Sequence, residues 1–259
     1  MRMILATNPV PCSCQRAPVT GPCRHTHTRS RCMQPTGKYC AVLFDFDGTL
    51  ADSESAHHRV WNEILGEMGA HIDDEEYKRE SSGVPVTQEV ERLIQTRGLS
   101  ISAKALVDRK VERTVASFTR DPIALMDHAL EMLEWCREQG LPMALITGSG
   151  RQEIAPTLEH YDLTRFFDHI VTRNDVTHSK PHPECYLKGL SLCGIEAAQA
   201  VAIEDTCHGV NAAHAAGIDV IAIPNAYSRG QDVSRATVEL ESLAQARDWI
   251  DVRCVKRQP

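Results

Sequence analysis

The chain has 259 residues, 42% of them hydrophobic and 24% charged, and a net charge of −7. That length suffices for a large core, or a core plus a smaller domain, without disulfide or metal staples. The charge is uneven. The first 44 residues hold six cationic side chains and no acid, so the remaining 215 carry −13. So acidic a globular part argues against nucleic-acid binding, which needs clustered Lys and Arg. No apolar run approaches the roughly 18 residues of a membrane span, and Met3-Ile4-Leu5-Ala6 is too short for a secretory segment.

Residues 1–38 read as an irregular tail, rich in Pro, Cys, Arg and Thr. A transit peptide, a zinc site drawn from Cys12, Cys14, Cys23, Cys32, His25 and His27, and a leader preceding a start at Met33 are the alternatives. The later cysteines, Cys136, Cys185, Cys193, Cys207 and Cys254, are scattered and read as reduced thiols of a cytoplasmic protein.

From Tyr39 the text becomes periodic. Tyr39–Phe44 is a short apolar run suited to a buried strand, and it leads into Asp45-Phe46-Asp47-Gly48-Thr49-Leu50. Residues 55–69 form an amphipathic helix with Val60, Trp61, Ile64, Leu65 and Met68 on one stripe. Residues 72–119 continue helical, broken at Ser81-Ser82-Gly83-Val84-Pro85. A helix over 124–139 follows, stopped by Gly140, then a strand at Met143–Thr147 and a helix over 150–160 interrupted by Pro156. His169–Thr172 is a short strand, Pro183–Cys193 a helix, Ala200–Glu204 a strand, Cys207–Ala216 a helix and Asp219–Ile223 a strand. The segment over 238–250 is weakly patterned, with Leu240, Leu243 and Ile250 as anchors.

This alternation predicts an α/β fold with a parallel, Rossmann-like sheet core and an inserted helical cap. The core takes residues 39–53 and 121–251, the cap 54–120, and a C-terminal tail 252–259.

In such sheets ligands bind outside the carboxyl ends of the strands. Four polar clusters fall there. Asp45 and Asp47, two apart on an extended chain, point to one side and crowd two carboxylates unless a cation is present; the alternative is an Asx turn. Thr147 and Gly148 open a strand-to-helix turn able to hold an anion, or Thr147 and Ser149 simply cap the helix. Lys180, fixed between Ser179 and Pro181, is a point charge for phosphate or an exposed loop lysine. Glu204 and Asp205 close a buried strand, where they hold a hard cation such as Mg²⁺ or cap the next helix.

Taken together these residues resemble the haloacid dehalogenase superfamily, in the subgroup with a helical cap after the first motif. The matching segments are Asp45–Leu50, Thr147 in Leu145-Ile146-Thr147-Gly148-Ser149, Lys180 in Ser179-Lys180-Pro181, and Glu204-Asp205-Thr206 with Gly209, Ala212, Ala213, Ala216 and Gly217 behind it. The resemblance covers about 39–250. It implies a covalent aspartyl-phosphate on Asp45, with Asp47 as acid and base. It implies Mg²⁺ held by Asp45, the Asp47 carbonyl and Asp205 with Glu204 in support, and phosphate held by Thr147, Gly148 and Lys180. Asp47 separates the chain from the dehalogenases, which lack that acid and the metal.

On the cap side, His57 resembles a residue of beta-phosphoglucomutases and sugar phosphatases, or is only a surface histidine on the cap helix. Ser53 at the hinge is a second candidate, or only a helix cap. The mutases carry a basic residue shortly after the cap-loop glycine; here Val84, Pro85, Val86, Thr87 and Gln88 follow Gly83. The expected activity is therefore a Mg²⁺-dependent phosphatase acting on a small phosphorylated metabolite, of sugar-phosphate or phosphoglycolate type. A phosphomutase and a non-catalytic phosphometabolite-binding protein are the alternatives. No nucleic-acid or membrane partner is expected, and the chain is expected as a monomer or weak dimer.

Overall fold

The computed structural model of the protein describes residues 37–254. The readings for residues 1–36 and 255–259 lie outside the described residues.

Six strands form one sheet: β1 (Ala41–Phe44), β2 (Met143–Ile146), β3 (His169–Val171), β4 (Ala200–Glu204), β5 (Asp219–Ala222) and β6 (Val238–Glu239). All are parallel, in the order β3-β2-β1-β4-β5-β6. The chain runs outward from β1 to β3, then crosses back to β4 on the other side of β1. That reversal puts the topological switch point between β1 and β4, where a crevice opens at the strand ends.

Helices cover both faces. On one, Val42, Phe44, Leu145, Val201 and Ile203 pack against α5 (Ala129–Glu138), α6 (Arg151–His160) and α9 (Leu243–Asp251). On the other, Ala41, Leu43, Ala144, Ile146 and Ala202 meet α7 (Glu184–Cys193) and α8 (Cys207–Ala215). The alanines let these helices approach closely. A Cβ on Gly189 of α7 would lie 2.5 Å from Ile146 Cδ1, so any larger residue there must displace that side chain. Burial on both faces explains why the strands read as continuous apolar runs.

Between β1 and β2 lie α1 (Glu54–Gly66), α2 (Asp74–Glu80), α3 (Val86–Arg97) and α4 (Ala103–Arg120). They carry an apolar cluster of their own, including Val60, Trp61, Ile64, Leu65, Val90, Leu93 and Leu106.

Three local expectations need correction. The helix expected over 124–139 begins only at Ala129. Met126 N donates to Leu50 O and Asp52 N to Ala124 O, so residues 124–126 are spent bridging to the chain after β1. The helix at 151–160 runs through Pro156, because Ile154, Thr157 and Leu158 anchor it to the core on both sides of the lost hydrogen bond. The weak segment at 238–250 resolves into β6 and α9. Near the ends of the described residues, Lys38 pairs with Asp219, and Tyr39 N donates to Arg253 O.

Candidate active site

Four strand ends and one helical wall converge on a cavity of about 110 Å³. Asp45 directly follows β1, and its backbone N–H extends the ladder to Ile203 O at 3.0 Å. The chain then turns: Phe46 O accepts from the amides of Thr49, Leu50 and Ala51. Gly48 has φ +77°, and a Cβ there would lie 2.4 Å from Asp205 Oδ2 and 2.6 Å from Asn225 Nδ2. Both the backbone conformation and the space therefore require glycine.

Asp45 and Asp47 line the same cavity but have separate partners. Asp45 Oδ1 accepts from Lys180 Nζ at 2.5 Å. Asp47 Oδ1 accepts from Ser53 Oγ at 2.7 Å and contacts His57 Nε2 at 3.3 Å. Its Oδ2 accepts from Ser149 Oγ at 2.6 Å and Thr147 Oγ1 at 3.3 Å. The electrostatics diverge accordingly. Burial raises the pKa of Asp45 well above the usual carboxylate range; repulsion from Glu204 and Asp47 adds to this and outweighs Lys180. Burial also pushes Asp47 up, but hydrogen bonds from His57, Ser149 and Ser53 win and hold it well below that range.

Lys180 is buried rather than an exposed loop lysine. Besides Asp45 it donates to Ile146 O at 2.9 Å and Glu204 Oε1 at 2.6 Å. Burial alone would lower its pKa, yet Asp45 and Glu204 hold it far above the ordinary value, so it stays charged. Tyr186 of α7 donates to the same Glu204 oxygen at 2.5 Å. The other, Oε2, sits where a Cβ on Gly209 would be, 1.8 Å from that position. Gly209 is thus the space that lets Glu204 reach Lys180.

The helix-capping alternatives fail. The N-cap of α8 is Thr206, whose Oγ1 accepts from Gly209 N, so Glu204 and Asp205 are free for other work. The N-cap of α6 is Gly150, not Thr147 or Ser149. Ser53 occupies the N-cap position of α1 but makes no side-chain cap; its hydroxyl goes to Asp47 instead.

Several side chains to which the motif reading gave no site role complete the site. Asn225, just beyond β5, donates to Asp205 Oδ2 at 2.8 Å and to Gly48 O at 3.0 Å. Ser149 makes the shortest bond to Asp47. Lys110 of α4 is buried, 3.0 Å from His57 Nδ1 and 3.2 Å from Thr114 Oγ1. Asn225 had a legible signal, since it is polar and follows a strand. Lys110 had none, because a lysine on a charged helix ordinarily reads as solvated.

The acids fit a hard cation. Asp45, Glu204 and Asp205 are all buried and offer carboxylate oxygens within 4.8 Å of one another. Asp205 Oδ1 and Glu204 Oε2 are buried without a hydrogen-bond partner. Three buried acids against one lysine leave negative charge that an all-oxygen cluster passes to Mg²⁺ or a similar ion. The Asp47 carboxylate is not in this cluster, as its oxygens are already engaged.

Comparison with known proteins agrees with this architecture. The haloacid dehalogenase-like hydrolase family matches residues 42–223. The fructose-1-phosphate phosphatase YqaB of Escherichia coli (strain K12) is 31% identical over 186 residues, covering 71% of this chain and 96% of that protein. The crystal structure of CbbY from Rhodobacter sphaeroides in complex with phosphate superposes with a TM-score of 0.74 at 27% identity, over 80% of this chain and 96% of that one. A CbbY variant in complex with xylulose-1,5-bisphosphate superposes with the same score at 26% identity and the same coverage. The chain belongs to the haloacid dehalogenase-like hydrolases and is, among them, a phosphoric monoester hydrolase.

Proposed function

We propose that this protein hydrolyses a small phosphorylated metabolite through a covalent aspartyl-phosphate on Asp45, with Mg²⁺ bound. The observation that carries this reading is the division of labour at the sheet edge. Asp45 is pinned by Lys180 beside the orphaned oxygens of Glu204 and Asp205, while Asp47 is held apart by four side-chain partners.

Asp45, Asp205 and the Asp47 backbone carbonyl would hold the ion, with Glu204 positioning Lys180 behind them. When bound, Mg²⁺ supplies the positive charge that lets a carboxylate approach a phosphate dianion. Lys180 adds its own charge on the phosphoryl oxygens, with Thr147 and Gly148 at the neighbouring strand end. An Asp45 oxygen attacks phosphorus and the bond to the ester oxygen breaks. Asp47 gives that oxygen a proton, and the alcohol leaves. Asp47, now ionised, takes a proton from water as the water oxygen attacks phosphorus. Inorganic phosphate departs and the Asp45 carboxylate is restored. Asp47 rests ionised, the form a base must start from, and it takes up a proton from solvent before the first half. Approach of the substrate dianion raises its pKa for that step. Residues 54–120 act as the cap, with His57 and Ser53 orienting Asp47.

Replacing Asp45 by Asn is expected to reduce turnover of an aryl phosphate in Mg²⁺ by about 10³-fold or more. Full activity in the Asn variant, or none in the wild type toward any phosphate ester, defeats the reading. Product analysis separates hydrolysis from mutase action, because only hydrolysis accumulates inorganic phosphate. The absence of Lys or Arg from Val84–Gln88 favours hydrolysis.

A further inference from the structure

The loop that brings Lys180 to the cavity carries a second set of donors. His178 and His182 flank the buried Lys180 and are exposed, and Glu184 opens α7. His182 N donates to Ser179 O at 3.0 Å, which closes the turn around Lys180. Pro181 and Pro183 restrict the backbone on either side of His182. The ring centroids of His178 and His182 lie 4.6 Å apart. One ligand atom from each of the three residues falls within 4.8 Å of the others.

The spacing suits a small ion. His178 Nδ1 lies 2.9 Å from Glu184 Oε2, and His182 Nδ1 lies 3.9 Å from the same residue's Oε2. Tetrahedral zinc, with bonds of about 2.0–2.1 Å, sets its ligands about 3.3 Å apart. The two distances bracket that value, so small side-chain rotations complete the geometry. The carboxylate is fixed before any ion arrives. Its Oε1 accepts from Thr177 N at 2.8 Å and its Oε2 from His178 N at 2.9 Å. The Thr177 amide first, then the His178 ring and amide, hold the Glu184 pKa down at about 2, so the group is ionised. An ionised carboxylate only accepts, so His178 Nδ1 is the donor in their contact. His182 Nδ1 accepts from Glu184 N at 3.3 Å and so presents a lone pair.

We propose that His178, His182 and Glu184 bind a zinc-class ion, and that this ion clasps the turn carrying Lys180. Two imidazoles and one carboxylate select zinc over Mg²⁺, which prefers an octahedron of oxygens. On binding, His178 Nδ1 loses its proton to solvent, and a bond to the metal replaces the N–H contact with Glu184. His182 Nδ1 and Glu184 Oε2 supply the next two bonds, and the exposed side leaves the last position to water. The ion then ties residue 178 to residues 182 and 184, a closed ring with Lys180 inside it. The site is separate from the buried cluster of Asp45, Glu204 and Asp205, whose donors are all oxygen. It does not rest on the phosphatase reading, and failure of either leaves the other intact.

The test is zinc binding by the full chain with Mg²⁺ in excess, which keeps zinc from the acid cluster. Residues 1–36 offer cysteine and histidine ligands of their own. The readout is therefore the difference between the wild type and two variants, His178→Asn and His182→Asn. Both side chains are exposed, and neither serves the reaction above. Calorimetry is expected to find one zinc ion more in the wild type than in either variant, with a Kd on the order of micromolar. Hydrogen exchange is expected to locate it: zinc slows the amides of residues 177–187 by about tenfold or more in the wild type and leaves them unchanged in the variants. Equal zinc counts in the wild type and both variants overturn the proposal. Zinc lost from the variants without slower exchange at 177–187 in the wild type overturns the clasp on the Lys180 turn. If one variant does not fold, the other decides.

Discussion

Asp45 and Asp47 stand two residues apart with their pKa values driven in opposite directions, and the cause is who else touches them. Burial, with crowding by Glu204, makes Asp45 costly to ionise without a cation, while His57, Ser149 and Ser53 keep Asp47 ionised. Two acids separated in this way are the usual mark of distinct chemical roles. Glu54 shows the same physics away from the reacting centre. Burial pushes its pKa to about 7, with Asp47 and Glu89 adding to the shift and Tyr77 and Lys110 opposing it. Between pH 4.5 and 7 the folded protein holds a proton that the unfolded chain releases. Stability therefore falls as pH rises through that window and levels off above it. The full effect is roughly 3 kcal/mol. Glu54→Gln keeps an acceptor for Tyr77 and carries no charge. It is expected to be more stable than wild type at pH 8 and to lose that advantage near pH 4.5, in urea unfolding with chelator present. A stability difference that does not change with pH contradicts the assignment. At this scale the sequence made Asp45, Asp47, Lys180, Glu204 and Asp205 legible, because polar residues ending apolar strands have few other uses. Lys110, Glu54 and Glu89 were hidden, since acids and lysines on helices ordinarily face water and only the folded cap turns these inward.

Elements were legible where periodicity and punctuation agree. The strands at 143, 200 and 219 and the helix ended by Gly194, at φ +66°, follow from apolar runs and the glycine stop. The start of α5 did not follow, because its N-terminal turn is displaced by the bridge between Ala51 and Leu125, a long-range pairing with no local signature. The seating of the α2–α3 loop on Thr206 is likewise invisible in sequence, though the loop forms one wall of the site. It can be tested with two glycines of the same backbone class. Gly83 at φ +73° touches Thr206, whereas Gly69 at φ +71° has nothing within 4 Å of an added Cβ. Alanine at either position incurs about 1–2 kcal/mol of left-handed strain. Only Gly83→Ala must also lift the loop, and it is expected to lower kcat/KM by about 10- to 100-fold while Gly69→Ala leaves it unchanged. Equal kinetics in the two variants, measured alongside their melting curves, disconnects the loop from catalysis.

At the scale of the whole molecule, an acidic protein has been built around a still more acidic centre. The part after residue 44 carries −13, and its switch point gathers Asp45, Glu204 and Asp205 around a single lysine. Like charges confined in a buried space destabilise the fold, and a cation that binds only the folded state returns that stability by mass action. Mg²⁺ at about a hundredfold excess over its Kd is therefore expected to add roughly 2.7 kcal/mol, or a rise of roughly 5–10 °C in Tm for a domain of this size. Chelator should reverse both the rise and the activity. A potassium salt at equal ionic strength controls for simple screening, which acts weakly on buried charges. Asp205→Asn makes the comparison sharper. It removes one member of the repelling cluster, so the ion-free variant should melt above the ion-free wild type, yet it should gain little on adding Mg²⁺. Asn225 can still donate to the amide oxygen, which keeps the turn at Gly48 in place. If Mg²⁺ shifts the wild type no more than potassium does, or shifts the Asn variant equally, then the three carboxylates do not form the cation site and Lys180 alone must neutralise the incoming phosphate.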